Sequence, residues 1–417
     1  MPGAIIAAMV LYENRGRLLS VLETVRSSPR SDFDREKFAT LPVMVDSIEQ
    51  LPFLTRNELV AIPPDDRCYI PRNELAFVAY TSGTTSGQPL LSFFGTVDNY
   101  HVDPTWGVVT ERILVVFPPL NKNFCGTFIQ QCRESVHPVT PVFGDPANLA
   151  ASAYLGQALH VDALYATPSL AFALAPYLAK TGLHQKIRLL VISGETITNE
   201  QRVSLQALYP EAYVANLYAS SEIGQFIMGP TRAMLEDKTP GFVLLTEALV
   251  AAELVDSELV VTYAENPAFP LIRYRTGDLF TIETDWTKKY GTKTPVLSWL
   301  GKGGVDVVRV HGTEIRSGSV DTFFTNLALP ISQYQLHIFP GQAAATLDIT
   351  LEYIVPEVTV VDVAYIQNAL LDNFYIRPGQ TIRAAITAGV VESIHVKPVD
   401  VLSWQGAKRR VLVNHVT

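Results

Sequence analysis

The sequence predicts an α/β protein in two parts: a large N-terminal domain over 1–300, with mostly parallel sheets flanked by helices, and a small C-terminal α+β domain over 301–417. Three features predict it. Short apolar runs alternate with stretches of helical length, each run is followed by a polar or glycine-bearing turn, and the pattern changes at the glycine-rich Gly301-Lys-Gly-Gly-Val-Asp306. Strands alternating with helices pack as buried parallel strands joined by crossovers.

Residues 15–75 read as helix and loop, ending in the proline-containing Pro71–Leu75. From Phe77 onward, the runs Leu75–Ser82, Arg112–Leu120, Val161–Pro168, Ile187–Gly194 and Ala212–Ser220 read as strands. Ser169–Lys180 and Thr198–Pro210 have helical length and apolar periodicity. In such sheets ligands bind at the loops beyond the carboxyl ends of strands. Past Gly301, Thr346–Tyr353 alternates polar and apolar residues as a half-buried strand does, and Val363, Ile366, Leu370 and Phe374 recur at helical spacing.

Composition narrows the function classes. Hydrophobic residues make up 48% of the 417 and charged residues 18%, enough to bury a large core. The formal net charge of −9 speaks against a nucleic-acid partner, which needs a clustered positive field. Cys68, Cys125 and Cys132 have no zinc-ligand spacing and read as reduced, packed thiols of a cytoplasmic protein. The apolar start Met1–Val10 has neither the flanks nor the length of a signal peptide or membrane span, so no membrane partner is expected.

Five segments carry chemistry. Tyr80-Thr-Ser-Gly-Thr-Thr-Ser-Gly-Gln-Pro89 follows a strand-like run and is dense in hydroxyls and glycines, so its N–H and O–H groups can wrap phosphate oxygens. It is not a Walker loop, because no Gly-Lys-Ser/Thr follows. Asn216-Leu-Tyr-Ala-Ser-Ser-Glu222 and Arg273-Tyr-Arg-Thr-Gly-Asp278 end in carboxylates. Gly301–Asp306 is glycine-rich, and Gln405-Gly-Ala-Lys-Arg-Arg410 is basic. Taken singly, each fits a plain turn, a solvated acid or a basic tail.

Together and in this order they resemble the adenylate-forming enzymes, whose phosphate loop reads Thr-Ser-Gly-Thr-Thr-Gly-x-Pro-Lys. Their later motifs are Tyr-Gly-x-Thr-Glu, Tyr-Arg-Thr-Gly-Asp and a C-terminal Gly-Lys-x-x-Arg. Three more stretches resemble the phenylacetate–CoA ligase branch: Leu51-Pro-Phe-Leu-Thr-Arg-Asn-Glu-Leu59, Ala166–Leu174 and Ile192-Ser-Gly-Glu-Thr196. The likeness spans about residues 40–417. This chain departs from the pattern at Ser86 (an extra residue), Leu90 (for a basic residue), Ala219 (for glycine), Lys302 (for arginine) and Lys408 (one residue late).

The resemblance implies ATP, Mg2+ and coenzyme A, and conversion of a carboxylic acid to an acyl-adenylate with release of pyrophosphate. By it, Thr81, Ser82, Gly83, Thr84, Thr85 and Gly87 hold phosphates, and Gly194 and Glu195 line the adenine pocket. Asn216, Tyr218 and Ala219 belong to the nucleotide site, with Tyr218 stacked on adenine, and Asp278 accepts from both ribose hydroxyls. Ser221 contacts the α-phosphate, Glu222 is the metal ligand, and Lys302 stands near ribose and phosphate. Lys408 reaches the carboxylate and α-phosphate, with Arg409 and Arg410 as alternatives. The hinge between the domains falls at Gly304 or Asp306. Phe117, Phe124, Thr167 and Ser193 are expected to wall a pocket for an aromatic or other apolar acid. Coenzyme A is the default acceptor, with an amine or a carrier-protein thiol as the alternative. A non-catalytic nucleotide-binding relative is the reading from another class, and a homodimer is left open. A nicotinamide enzyme is excluded for want of a Gly-x-Gly-x-x-Gly turn after a strand.

Overall fold

The computed structural model describes residues 8–27, 37, 45–80, 90–95, 103, 105–117, 123–135, 137–195, 197, 199–220, 222–223, 226–245, 249–264, 266–302, 307–310, 313–327, 329, 331, 333–343, 346–355, 361–377, 379–400, 402 and 411–415. Two compact units emerge, one of residues 1–196 with 208–300, the other of 301–417 with 197–207. The short segment 197–207 thus groups with the second unit and not with its neighbours in sequence.

The first unit holds a five-stranded parallel sheet in the order Thr140–Phe143, Arg112–Val116, Ala163–Ala166, Leu189–Ile192, Tyr213–Asn216. Its inner strands Ala163–Ala166 and Leu189–Ile192 are buried at every residue, which is why their sequences are unbroken apolar runs. Helix Pro168–Ala179 packs beside helix Leu149–Ala158 and starts at Thr167, whose hydroxyl caps the N–H of Leu170. Buried Tyr209 ties that helix down, its hydroxyl donating to Ala171 O at 2.7 Å.

Beside the parallel sheet runs a second five-stranded sheet: Ala8–Glu13, Ala251–Val255, Glu258–Tyr263, Leu271–Ile282 and Leu297–Lys302, with its first four strands antiparallel. The end of the apolar N-terminal run, Ala8–Val10, enters this edge strand, paired with Ala251–Val255. Asp256 and Ser257 make the two-residue hairpin turn, with φ of +50° and +69°; the primed turns that match strand twist need positive φ. The run Phe77–Tyr80 also enters a hairpin, antiparallel to Leu91–Phe94. Leu90 is fully buried in the core beneath it, so its position offers no cation to a ligand.

In the second unit, Gln333–Pro340 and Leu347–Ile354 pair antiparallel over eight residues, flanked by parallel Leu412–Asn414 and Val391–Pro398. One face packs Leu336, Ile338, Ile349 and Leu351 against Phe323, Phe324, Ile366 and Leu370 of helices Ser317–Leu327 and Val363–Asn373. On the opposite face buried His337 sits with Nδ1 3.1 Å from His415 Nε2 and Nε2 3.5 Å from Glu352 Oε2, while Lys397 Nζ pairs with Glu352 Oε1 at 2.9 Å.

Burial lowers the His337 pKa, reinforced by His415 and Lys397 and opposed by Glu352. A histidine depressed on folding binds fewer protons than in the unfolded chain, so its contribution is present above its ordinary value of about 6.5 and is lost as pH falls below it. Denaturant titrations between neutral and mildly acid pH are expected to show falling stability, with a flatter profile for His337→Gln.

Among the described residues, no helix is long and apolar enough to cross a membrane. Cys68 and Cys132 are free and buried, and burial pushes the Cys132 thiol up to about 12, so it stays protonated as a packing group.

Candidate active site

The parallel register aligns Val116, Ala166, Ile192 and Asn216 across four strands at their carboxyl ends. The residues that follow, Phe117, Thr167, Ser193 and Leu217, therefore leave the sheet along one edge, where parallel α/β sheets bind ligands. Thr167 and Ser193 are buried. Phe117 packs on Tyr165 with ring centroids 4.4 Å apart, joining the cluster that includes Phe128. Ser193 leads into Gly194, whose φ of +83° favours glycine there. The turn aims Glu195 back at the neighbouring helix: its Oε2 accepts the Ser169 N–H at 3.0 Å and its Oε1 the Ser169 hydroxyl at 2.8 Å. A carboxylate at a helix N-terminus also meets the positive end of the dipole.

Tyr218 and Ala219 continue past Asn216 into a short strand paired antiparallel with Phe226–Gly229. The Tyr218 hydroxyl donates to Asp278 Oδ2 at 2.6 Å, and its ring meets Phe280 edge-on at 5.4 Å. Burial, then the charge of Asp278, raises the Tyr218 pKa well above the ordinary phenol value, so the hydroxyl stays protonated and donates. This bond joins the parallel sheet's edge to strand Leu271–Ile282 of the antiparallel sheet.

That strand is irregular where the Arg-Tyr-Arg-Thr-Gly-Asp segment lies. Its pairing with Glu258–Tyr263 slips twice, and φ is +48° at Arg273 and +76° at Gly277. A bulge bends a strand and re-aims the side chains after it. Positive φ at Arg273 is costly, and its surroundings hold it: its N–H donates to Thr262 Oγ1 at 2.9 Å. Its guanidinium forks onto Glu253 (Nε–Oε2 3.0 Å, Nη2–Oε1 2.9 Å) and lies 4.1 Å above the Phe53 ring. Arg275 pairs with Glu258, whose other oxygen accepts the Gly277 N–H at 2.9 Å. Asp278, buried, leaves this second irregularity facing Tyr218.

Arg273 Nη1 also donates to Glu49 O at 2.8 Å and Leu51 O at 2.5 Å, and Leu54 exchanges backbone bonds with Arg273 and Arg275. The segment before helix Arg56–Ala61 is thereby laced along the strand. Thr55 and Glu58 form a capping box that starts the helix, and Lys37 Nζ lies 2.6 Å from Glu58. Burial raises the Glu58 pKa, but the bonds from Lys37 and Thr55 outweigh it and the net shift is downward. Arg56, the first helical residue, then reaches Glu222: Nη1 to Oε1 is 3.0 Å. The Tyr274 hydroxyl donates to the same oxygen at 3.3 Å, its pKa held well above normal by burial and by Glu222.

The structure therefore brings Tyr218, Glu222 and Asp278 into one neighbourhood, and Phe117, Thr167, Ser193, Gly194, Glu195, Asn216 and Ala219 along the sheet edge that leads to it. Thr81, Ser82, Gly83, Thr84, Thr85, Gly87, Ser221, Lys408 and both hinge candidates lie outside the described residues. Phe124 falls within helix Asn123–Glu134 and Lys302 within strand Leu297–Lys302, their side chains outside the description. Sequence reasoning assigned no role to Arg56, Tyr274, Ser169 or Glu253. Tyr274 lay inside a recognised motif, and Glu253, one acid in the run Ala251-Ala-Glu-Leu-Val255, could have been flagged as a buried charge in need of a partner.

This is the fold of the AMP-forming adenylate ligases. It is similar to 2-hydroxyisobutyryl-CoA ligase in the postadenylation state with R3-HIB-AMP, with a TM-score of 0.72 at 18% identity over 96% of this chain and 88% of that one. An anthranilate CoA ligase in complex with anthranoyl-AMP gives a TM-score of 0.51 at 11% identity over 82% and 67%. In sequence, 135 residues are 26% identical to indoleacetate–lysine synthetase of Pseudomonas savastanoi, over 32% of this chain and 33% of that protein. The match thus spans about a third of that curated relative. No family model matches the chain.

Proposed function

We propose that this protein uses ATP to convert an aromatic or other apolar carboxylic acid to an acyl-adenylate, releasing pyrophosphate, and passes the acyl group to coenzyme A. One observation carries the reading. In an adenylate-ligase fold, half-buried Tyr218 bonded to buried Asp278 and the Glu222 carboxylate converge beyond the carboxyl edge of the parallel sheet. The Tyr218 bond occupies Asp278 Oδ2 and orients the carboxylate to accept from ribose hydroxyls.

The residues fit magnesium. Glu222 Oε1 accepts from Arg56 and Tyr274, while Oε2 receives no donor from the described residues. Among those residues no cluster of three acid, histidine or cysteine side chains could cage a metal. Glu222 would offer a cation one hard oxygen, which suits Mg2+, an ion that is usually held by one or two carboxylates together with substrate phosphates and water. Such an ion would neutralise charge on departing pyrophosphate.

The carboxylate substrate is already the nucleophile, so the chain's task is positioning and charge stabilisation. The loop Thr81–Gly87 holds phosphates, Ser221 contacts the α-phosphate, and Lys408 offsets charge at the reacting carboxylate. On this reading residues 301–417 act as the small mobile domain and the protein works in the cytoplasm, within the phenylacetate–CoA ligase-like branch. The Phe117–Tyr165–Phe128 cluster beside Thr167 supports an aromatic acid, as do the names of the anthranilate and indoleacetate enzymes. The likeness to indoleacetate–lysine synthetase supports a second reading, in which an amine accepts the acyl group.

A panel of aryl and aliphatic acids, assayed for pyrophosphate release with Mg-ATP, tests this. Release with aryl acids, accelerated by coenzyme A, is expected; acceleration by an amine instead would establish the second reading, and no release with any acid would reject both.

A further inference from the structure

Resting on the nucleotide-binding reading above, we infer that Arg56 and the divalent cation are alternative counterions of Glu222, so that Arg56 governs how strongly nucleotide binding depends on metal. Arg56 Nη1 stands 3.0 Å from Glu222 Oε1, with side chains only 18% and 13% exposed. Arg56 and Tyr274 both donate to that one oxygen. An enclosed carboxylate needs compensation, and here the compensating charge comes from the chain itself.

A cation arriving at Oε2 meets a guanidinium already seated across the same carboxylate. Like charges on one carboxylate repel, and more strongly in an enclosed site than in bulk water. Metal binding and the Arg56 contact therefore oppose each other. The backbone under Arg56 is fixed by the Thr55–Glu58 capping box and by the Leu54 bonds, which leaves the side chain as the part that yields.

The signs separate this link from a purely structural ion pair. Without Arg56, Glu222 is uncompensated near Asp278: it draws the cation more strongly and repels a metal-free triphosphate. With Glu222 neutralised, that carboxylate no longer repels a metal-free triphosphate and no longer draws on the Arg56 charge. A pair that only braces the fold would change stability and leave metal dependence alone.

The test uses the full chain with Mn2+ as a paramagnetic probe and α,β-methylene ATP, which cannot transfer its adenylyl group, with binding also read by calorimetry in EDTA. In Arg56→Gln the half-saturating Mn2+ is expected to fall about tenfold while metal-free nucleotide binding weakens, the loss of the like-charge repulsion, damped by solvent, being the cause. Unchanged values, or weaker binding of both, would overturn the inference. If Arg56→Gln does not fold, Glu222→Gln tests the link from the other side: metal-free affinity is expected to rise several-fold, and a fall would count against the idea. A wild-type chain that binds nucleotide neither with nor without metal would contradict the adenylation reading itself, a result distinct from an unaltered Arg56→Gln.

Discussion

Asp278→Ala is expected to lower kcat/KM for ATP by about 10²–10⁴-fold, since two hydrogen bonds to an ionised carboxylate are each worth about 1.5–3 kcal/mol. Asp278 is buried, and one of its oxygens already takes the Tyr218 hydroxyl at 2.6 Å. Its orientation is thus set before any ligand arrives, and little is spent on ordering it. Tyr218→Phe keeps the ring against Phe280 and removes only the orienting bond, so its loss should be roughly tenfold, the weight of one net hydrogen bond. Steady-state kinetics on both variants, with melting curves to show that they fold, give the comparison. Equal losses would mean that Asp278 serves the fold and not the nucleotide.

Glu253→Ala should be the most damaging substitution for stability, costing about 3–5 kcal/mol, the usual penalty for stranding one member of a buried ion pair. Glu253 is 1% exposed and Arg273 7%, and the two are joined by a pair of hydrogen bonds. Removal strands the guanidinium in the core at a residue already held at φ +48°. Because a buried pair itself contributes little against apolar replacements, Glu253→Met with Arg273→Met should recover much of the lost stability. Activity should not recover with it, since the bulge that delivers Tyr274 and Asp278 depends on the Arg273 contacts. Urea midpoints beside adenylation rates would reveal the split, and additive losses in the double variant would argue against the pair.

The parts of the fold legible in sequence were those with local causes. Unbroken apolar runs such as Leu189–Ile192 require a sheet buried on both faces, and Thr167 before Pro168 announces a capped helix start. Glu222 and Asp278 could be singled out in the sequence because the segments that carry them are contiguous. What escaped was long-range. Arg56 meets Glu222 across 166 residues only because Leu54 runs along Arg273–Arg275, a pairing that no local pattern encodes. The bulge at Arg273 was equally hidden, since its positive φ arises from contacts with Glu253, Thr262 and Leu51 and not from residue type. The antiparallel sheet was half visible: Asp256-Ser257 between apolar runs is a hairpin signal, but Leu271–Ile282 carries arginines and a glycine that obscure its strand character.

The most direct test of the central claim is a single turnover with Mg-ATP and the acid that best drives pyrophosphate release, acceptor omitted, with the quenched products identified by mass spectrometry. The account predicts an acyl-adenylate and pyrophosphate in equal amounts, approaching the enzyme concentration. ADP and phosphate in their place, or bound ATP left intact with every acid, would contradict it.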